Sequence, residues 1–331
     1  MNIKNAITDV GYLSVGHAQN FEALTGCTVI LSPKGATAGV SQRGGAPGTR
    51  ETDLLRPMHS VEKIHAILLA GGSAYGLDAA GGVMRWLENK KIGFNTGSAI
   101  VPIVPAAIIF DLGIGNPKIR PDTEMGYQAC ENASKTKPEE GNVGAGTGAS
   151  VGKIFGMSQA MKSGVGTSSR QIGGGAIIGA IAVVNAFGDI VDDQSRKIIA
   201  GARSLKKGNV VSDSQDYFAD TLHVMKSIIG RGILSIAGKQ NTVIGVIATN
   251  VKLTKEEANK FAESASDGIT LAVQPAFTML DGDTVFALST GNKKLDLTIL
   301  CAFSPLVFAD AIRNAVLAAN PAGGLPSARS K

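Results

Sequence analysis

Aromatic side chains make up only 5% of this 331-residue chain, so any core must be built from Ala, Val, Ile and Leu. Cysteine is scarcer still. Cys27, Cys130 and Cys301 are odd in number, form no Cys-x-x-Cys pair and sit among apolar or small residues. That pattern predicts buried free thiols and a reducing, cytoplasmic setting. The four histidines, His17, His59, His65 and His223, show neither His-Glu-x-x-His nor another paired metal spacing. A His-based triad on Ser or Cys therefore finds little support, and His65, inside an apolar run, reads as a core residue. The longest apolar stretch, 99–110, contains Pro102 and Pro105 and is too short to span a bilayer. The opening MNIKNAITDVGYLSVGH lacks a basic-then-apolar signal, so no membrane association is expected. The net charge is +5, but the densest basic groups, Lys206-Lys207 and Lys293-Lys294, are only pairs, which argues against nucleic-acid binding.

A hydrophobic fraction of 44% describes a globular protein with a substantial core. TGCTVILSP and TAGVSQRGG read as separate short strands, and IHAILLA (64–70) as a fully buried one. Ser73 is a candidate N-cap for a helix from about Ala74 to Asn89, whose Ala79-Ala80-Gly81-Gly82 invites close packing. Residues 99–111 and 175–192 read as strands. Asp122 and Thr123 open a helix, and Thr254 with Glu257 forms a capping box for another reaching Val273. Residues 193–240 turn polar and read as a long, partly helical connection. The strand pattern restarts abruptly at Thr242. LDLTILCAF (295–303) is a candidate strand, 305–319 a final helix, and the Pro/Gly tail a loose end. Mixed helices and consecutive strands predict an α/β layered fold with a largely antiparallel sheet.

Two glycine-rich segments imitate motifs without meeting them. The run ending at Lys153 fails the phosphate-loop rule twice, with Thr147 at the first Gly position and Ile154 after the Lys. GGSAYG (71–76) fails as a nucleophile elbow because Tyr75 stands where Gly is required. Asp281-Gly282-Asp283 lies at a strand entrance, and three readings of it stay open. It could cap the strand as a turn, bind a hard metal with further oxygen ligands, or orient a nucleophile or a protonated amine.

Segments in order along nearly the whole chain carry a resemblance. They are ITDVGYLSVGHA, TGCTVIL, HAILLAGGSAYGLDAAGGV, VPIVPAAIIFDLG, GNVGAGTGASVGK, VVNAFGDIVD, NTVIGVIATN, DGDTVFALSTG and DAIRNAVLAAN. The chain resembles the DmpA/nylon-hydrolase family of N-terminal-nucleophile peptidases, the L-aminopeptidase/D-esterase-like proteins. The resemblance implies a four-layer αββα-like sandwich in one catalytic domain, 1–331, self-cleaved between Asn241 and Thr242 into an α chain 1–241 and a β chain 242–331. An ordinary Thr hydroxyl is a poor nucleophile, but an N-terminal Thr carries its own general base, an α-amine with an unperturbed pKa of about 7.7–8.0. By the same resemblance, Asp281 and Asp283 hold Thr242 in place and Asn185 donates to the oxyanion. Lys153 points into the site, and Phe110 stands in the substrate region where relatives carry Tyr. The implied activity is hydrolysis of small peptides, amino-acid amides or esters, or short linear amide oligomers, through an acyl-Thr intermediate, by a homo-oligomer, often a tetramer, with no cofactor or metal. The rival readings are an acyltransferase resembling the ornithine acetyltransferases and an uncleaved, non-catalytic relative.

Overall fold

A computed structural model describes residues 3–204, 217–227, 230 and 241–330. Lys206, Lys207 and much of the expected connection over 193–240 lie outside the described residues. Among those described, nine strands form two sheets sharing one strand. They are β1 (Ser14–Asn20), β2 (Thr25–Gln42), β3 (Thr49–Arg50), β4 (Ile64–Ala70), β5 (Ala106–Ile108), β6 (Val165–Gly173), β7 (Ala176–Asn185), β8 (Thr242–Val251) and β9 (Thr284–Lys293). The hydrogen-bonded order is β6-β7-β8-β9-β2-β4-β5-β3, with β1 also on β2. Pairing is antiparallel except for β8 with β9 and β4 with β5. The shared strand β2 pairs with β1 and β4 through its first half and with β9 through its second. Pro33 and Gly35 suggest a break in the sequence. Instead, the register shifts between Leu31 and Ala36, Gly35 takes a positive φ of 75°, and one strand continues from the first sheet into the second.

Side-chain alternation divides the interior into three apolar layers. Ile181 and Val183 of β7, Ile244 and Val246 of β8, and Phe286 of β9 meet Ile30, Ile67 and Leu69 of the first sheet. The opposite faces of β7–β9, with Ala182, Val243 and Val285, pack on α4 (Lys255–Ala272) and α5 (Leu297–Ala318), after α1 (Ala79–Asn89), α2 (Thr123–Glu131) and the short α3 (Thr221–Lys226) in chain order. Val29, Leu68 and Ala70 turn the other way, onto α1 and α2. The result is the expected αββα sandwich. Ala79 to Gly82 work as anticipated, for a Cβ on Gly82 would come 1.8 Å from the Thr123 carbonyl oxygen of α2. The caps at Asp122, onto Met125 N–H, and at Thr254/Glu257 form as read.

Other local expectations are corrected. Ser73 caps nothing. It opens a 3-10 turn, Ser73–Asp78, at φ 56°, and α1 begins only at Ala79. Residues 99–111 divide into Ile100–Val101 and β5. LDLTILCAF is helix, not strand. Asp296 caps α5 by accepting from Thr298 N–H, and the helix runs through Pro305. Proline leaves the Cys301 carbonyl without its helical donor, and Ser264 Oγ of α4 donates to it at 2.8 Å instead. The tail is anchored, because Leu325 packs with Ile114 and Ala160 and the Pro326 carbonyl accepts from Lys162 N–H at 2.7 Å. Cys27 and Cys130 are buried free thiols, while Cys301 is half-buried.

Phe308 of α5 is fully buried, and its ring lies so close over β8 that a Cβ on Gly245 would come 2.7 Å from it. Phe308→Ala should destabilise the protein by about 3–5 kcal/mol, read from the midpoint of urea unfolding.

Candidate active site

Strand register builds the site. Asn185, the last residue of β7, is the antiparallel partner of Thr242, the first of β8. Both are buried, at 0% and 5% exposure. By alternation they share the inter-sheet face with Val183 and Ile244. The Asn185 side chain reaches the first sheet, where Nδ2 donates to the Phe110 carbonyl at 3.0 Å, two residues past β5. Its Oδ1 accepts from Ser150 N–H at 3.1 Å and from Lys153 Nζ at 2.7 Å.

The Asp281–Asp283 turn closes the site from the other side. Asn241 forms a parallel bridge with Asp281, and Gly282 N–H donates to the Asn241 carbonyl at 2.8 Å. The Thr242 hydroxyl donates to that same carbonyl oxygen. Only glycine fits at 282, because a Cβ there would lie 2.5 Å from the Ala46 carbonyl oxygen and 3.0 Å from Thr242 Oγ1. The loop after β2 clasps the turn, with Arg43 N–H on the Asp283 carbonyl (3.1 Å) and Ala46 N–H on that of Asp281 (2.8 Å). Asp283 accepts from Val243 N–H at 2.6 Å and Phe277 N–H at 3.2 Å, and so grips the residue after Thr242. Asp281 accepts from Thr278 N–H at 2.9 Å and Thr278 Oγ1 at 2.5 Å. Burial raises both carboxyls above the usual range, and for Asp283 the neighbouring charge of Asp281 adds to it. Both carboxylates thus have protein donors. No group of three or more His, Cys, Asp or Glu suited to a metal ion occurs among the described residues.

Lys153 leaves the glycine-rich loop and also donates to the Asn185 main-chain carbonyl at 3.0 Å. Burial lowers its pKa to about 7, against the opposing pull of Asp281 and Asp111. All seven residues singled out from the sequence therefore meet here, with two qualifications. Neither Asp281 nor Asp283 bonds the Thr242 side chain in the intact chain. Phe110 meets Asn185 through its carbonyl, a contact indifferent to the ring, while the residue itself borders a small pocket with Ile114, Met157 and Lys153. Gly282 was legible as a turn residue but not as a donor to the Asn241 carbonyl. Lys162 carried no signal, since nothing in AMKSG marks a lysine as buried, yet it is fully buried. His65 is a core residue whose Nδ1 accepts from Ile103 N–H at 3.3 Å.

Known proteins resemble this chain along most of its length. Peptidase family S58 matches residues 5–329. An uncharacterized aminopeptidase of Mycobacterium bovis is 41% identical, over 98% of this chain and 97% of its own. A 6-aminohexanoate-oligomer endohydrolase of Kocuria sp. is 34% identical, over 86% and 75%. Among solved structures, the L-aminopeptidase D-Ala-esterase/amidase of Ochrobactrum anthropi, described as a variant of the Ntn hydrolase fold, superposes with a TM-score of 0.70 at 21% identity, covering 97% of this chain and 88% of that one. A Burkholderia sp. beta-aminopeptidase gives 0.67 at 20% identity, covering 99% and 92%.

The lowered pKa of Lys153 has a consequence for stability. Between about 7 and the ordinary value of 10.5, the unfolded chain holds a proton on this residue that the folded chain lacks. Stability from this group therefore rises with pH across that window. Lys153→Met should make the rise shallower than in the parent, measured as unfolding free energy at pH 7, 8.5 and 10.

Proposed function

The chain belongs to peptidase family S58, and on that premise we propose that it cuts itself between Asn241 and Thr242 and then uses Thr242 as its nucleophile. It is a hydrolase that cleaves amide bonds. The observation that carries the proposal is the pair of donors on one carbonyl. Gly282 N–H and the Thr242 hydroxyl both address the oxygen of the peptide to be cut.

In self-cleavage, Thr242 Oγ1 adds to the Asn241 carbonyl carbon. Negative charge develops on the oxygen that Gly282 N–H already holds. The hydroxyl proton passes to the leaving amide nitrogen, which gives an ester and a free α-amine. Water then hydrolyses the ester, leaving a carboxylate on Asn241 and an N-terminal Thr242. In turnover, the α-amine takes the hydroxyl proton as Oγ1 attacks the substrate carbonyl, and then returns it to the departing amine. Asn185 supplies a side-chain N–H to the oxyanion. Lys153, held on Asn185, adds a polar group whose lowered pKa lets it carry or release a proton near neutrality. Asp283 fixes Thr242 through the next amide, at Val243. Water finally hydrolyses the acyl-Thr ester.

The substrates we assign are small peptides with an N-terminal residue to release, amino-acid amides or esters, and short linear amide oligomers. The names of the aminopeptidase and endohydrolase relatives support that range. Assembly as a homo-oligomer, a tetramer by the family resemblance, belongs to the same proposal.

Intact mass under denaturing conditions should resolve pieces spanning 1–241 and 242–331, and Thr242→Ala should stay whole and inactive. A whole parent chain with full activity would sink the mechanism. Gly282→Ala places a methyl against Thr242 Oγ1 and displaces the N–H donor. It should slow self-cleavage by about 100-fold with an unchanged circular dichroism spectrum, followed as the appearance of the 242–331 piece over time.

A further inference from the structure

Lys162 has no part in the chemistry above, yet it is 0% exposed. Its Nζ donates to three main-chain carbonyls, Gly146 at 3.1 Å, Ala149 at 2.8 Å and Ser163 at 2.7 Å. An ammonium has three N–H donors, and each has an acceptor here. The Ala149 carbonyl and the Ser150 N–H belong to one peptide unit. The carbonyl end accepts from Lys162, and the N–H end donates to Asn185 Oδ1 at 3.1 Å. The far end of the Asn185 amide, Nδ2, rests on the Phe110 carbonyl.

We propose that Lys162 is a positioning residue that sets the orientation of the Asn185 amide through the Ala149–Ser150 peptide. This rests on Asn185 acting at Thr242 as proposed above. A cation on the carbonyl oxygen fixes the peptide plane and polarises it, which makes its N–H a stronger donor to Asn185 Oδ1. An amide oxygen held in this way keeps Nδ2 on the opposite side, at the Phe110 carbonyl.

Asp111 completes the device. Next to Phe110 and buried, it accepts from Gly72 N–H at 2.6 Å and Thr25 Oγ1 at 2.7 Å. Gly148 packs against it so closely that a Cβ would lie 2.6 Å from Asp111 Cβ. The charge of Asp111 favours the protonated lysine, against a desolvation that lowers the Lys162 pKa to about 7. The buried pair therefore flanks both segments that hold Asn185, the one ending at Ser150 and the one containing Phe110. A role in packing alone would not call for this chemistry, since an apolar side chain fills such a space without the desolvation cost of an ammonium.

Lys162→Met keeps an unbranched side chain, one atom shorter, and removes every donor, while Lys162→Gln keeps two N–H donors without the charge. Steady-state hydrolysis of an amino-acid amide should be measured per cleaved chain, counted by intact mass, alongside the melting midpoint. Lys162→Met should lower kcat by roughly 10- to 100-fold with KM within about twofold, and Lys162→Gln should lower it less. A role in stability alone would lower the midpoint and the yield but leave kcat per cleaved chain intact. A kcat within about twofold of the parent in both variants would overturn the proposal. If Lys162→Met yields no cleaved protein, Lys162→Gln decides by the same ratio. Asn185→Ala separates the two levels. Full turnover there overturns the reading of the site itself, whereas lost turnover there with full turnover in the Lys162 variants overturns only the positioning role.

Discussion

Two adjacent strands must meet in one register for the site to exist. Asn185 ends β7 where Thr242 begins β8, and each residue beyond them alternates between two apolar layers. A slip of one residue would turn Thr242 from the inter-sheet face toward the helices and drive Val243 and Ile247 into the wrong layer. The same apolar pattern that folds the sheet therefore aims the hydroxyl. The Asp281–Asp283 turn then follows from the pairing of β9 beside β8, since Asn241 and Asp281 extend that ladder by one bridge. Register fixes the order, and hydrogen bonds from the β2 loop set the turn at its working distance.

Much of this order was legible from local chemistry. IHAILLA and TVIGVIATNV announce buried strands by β-branched and aliphatic runs, and the Thr254–Glu257 box announces α4 by its caps. Elements whose conformation depends on a distant partner were not legible. Pro305 reads as the start of the last helix until Ser264 of another helix serves the carbonyl that proline leaves open. TGCTVILSP and TAGVSQRGG read as two strands because nothing local says that a single strand crosses between sheets. Ser73 reads as a cap because cap preference is local, whereas its backbone is fixed by Ile109, whose carbonyl takes its N–H. The residues around Thr242 came from order along the chain, through the family resemblance. What that order could not convey was which atom of each residue is used: the carbonyl rather than the ring of Phe110, the amide rather than the flexibility of Gly282, and the grip of Asp283 on Val243 rather than on Thr242.

Charges in this interior are held by main-chain groups more than by each other. Lys162 is surrounded by carbonyls, Asp283 by two backbone N–H donors, and Asp189 by Ala202 and Thr221 N–H. Fixed dipoles keep a buried ion where it is needed without allowing it to collapse onto a counter-ion, and so leave its field available to neighbours. The glycine-rich run 144–152 serves this arrangement. Residues without side chains let carbonyls crowd around one ammonium while the loop stays close to β2.

The position of β8 and β9 determines what a break before Thr242 would do to the molecule. Both strands lie inside the sheet, with β7 on one side and β2 on the other, and both of those neighbours come from the segment before the break. Hydrolysis of that one peptide would alter covalent connectivity without creating a single new sheet edge. The two polypeptides would be interlaced rather than docked, and neither would present a complete surface to the other. Made separately, the 242–331 polypeptide would have to insert two strands into a gap that the 1–241 polypeptide could not hold open alone. Mixing the two finished segments should therefore fail where folding as one continuous chain, followed by the cut, succeeds.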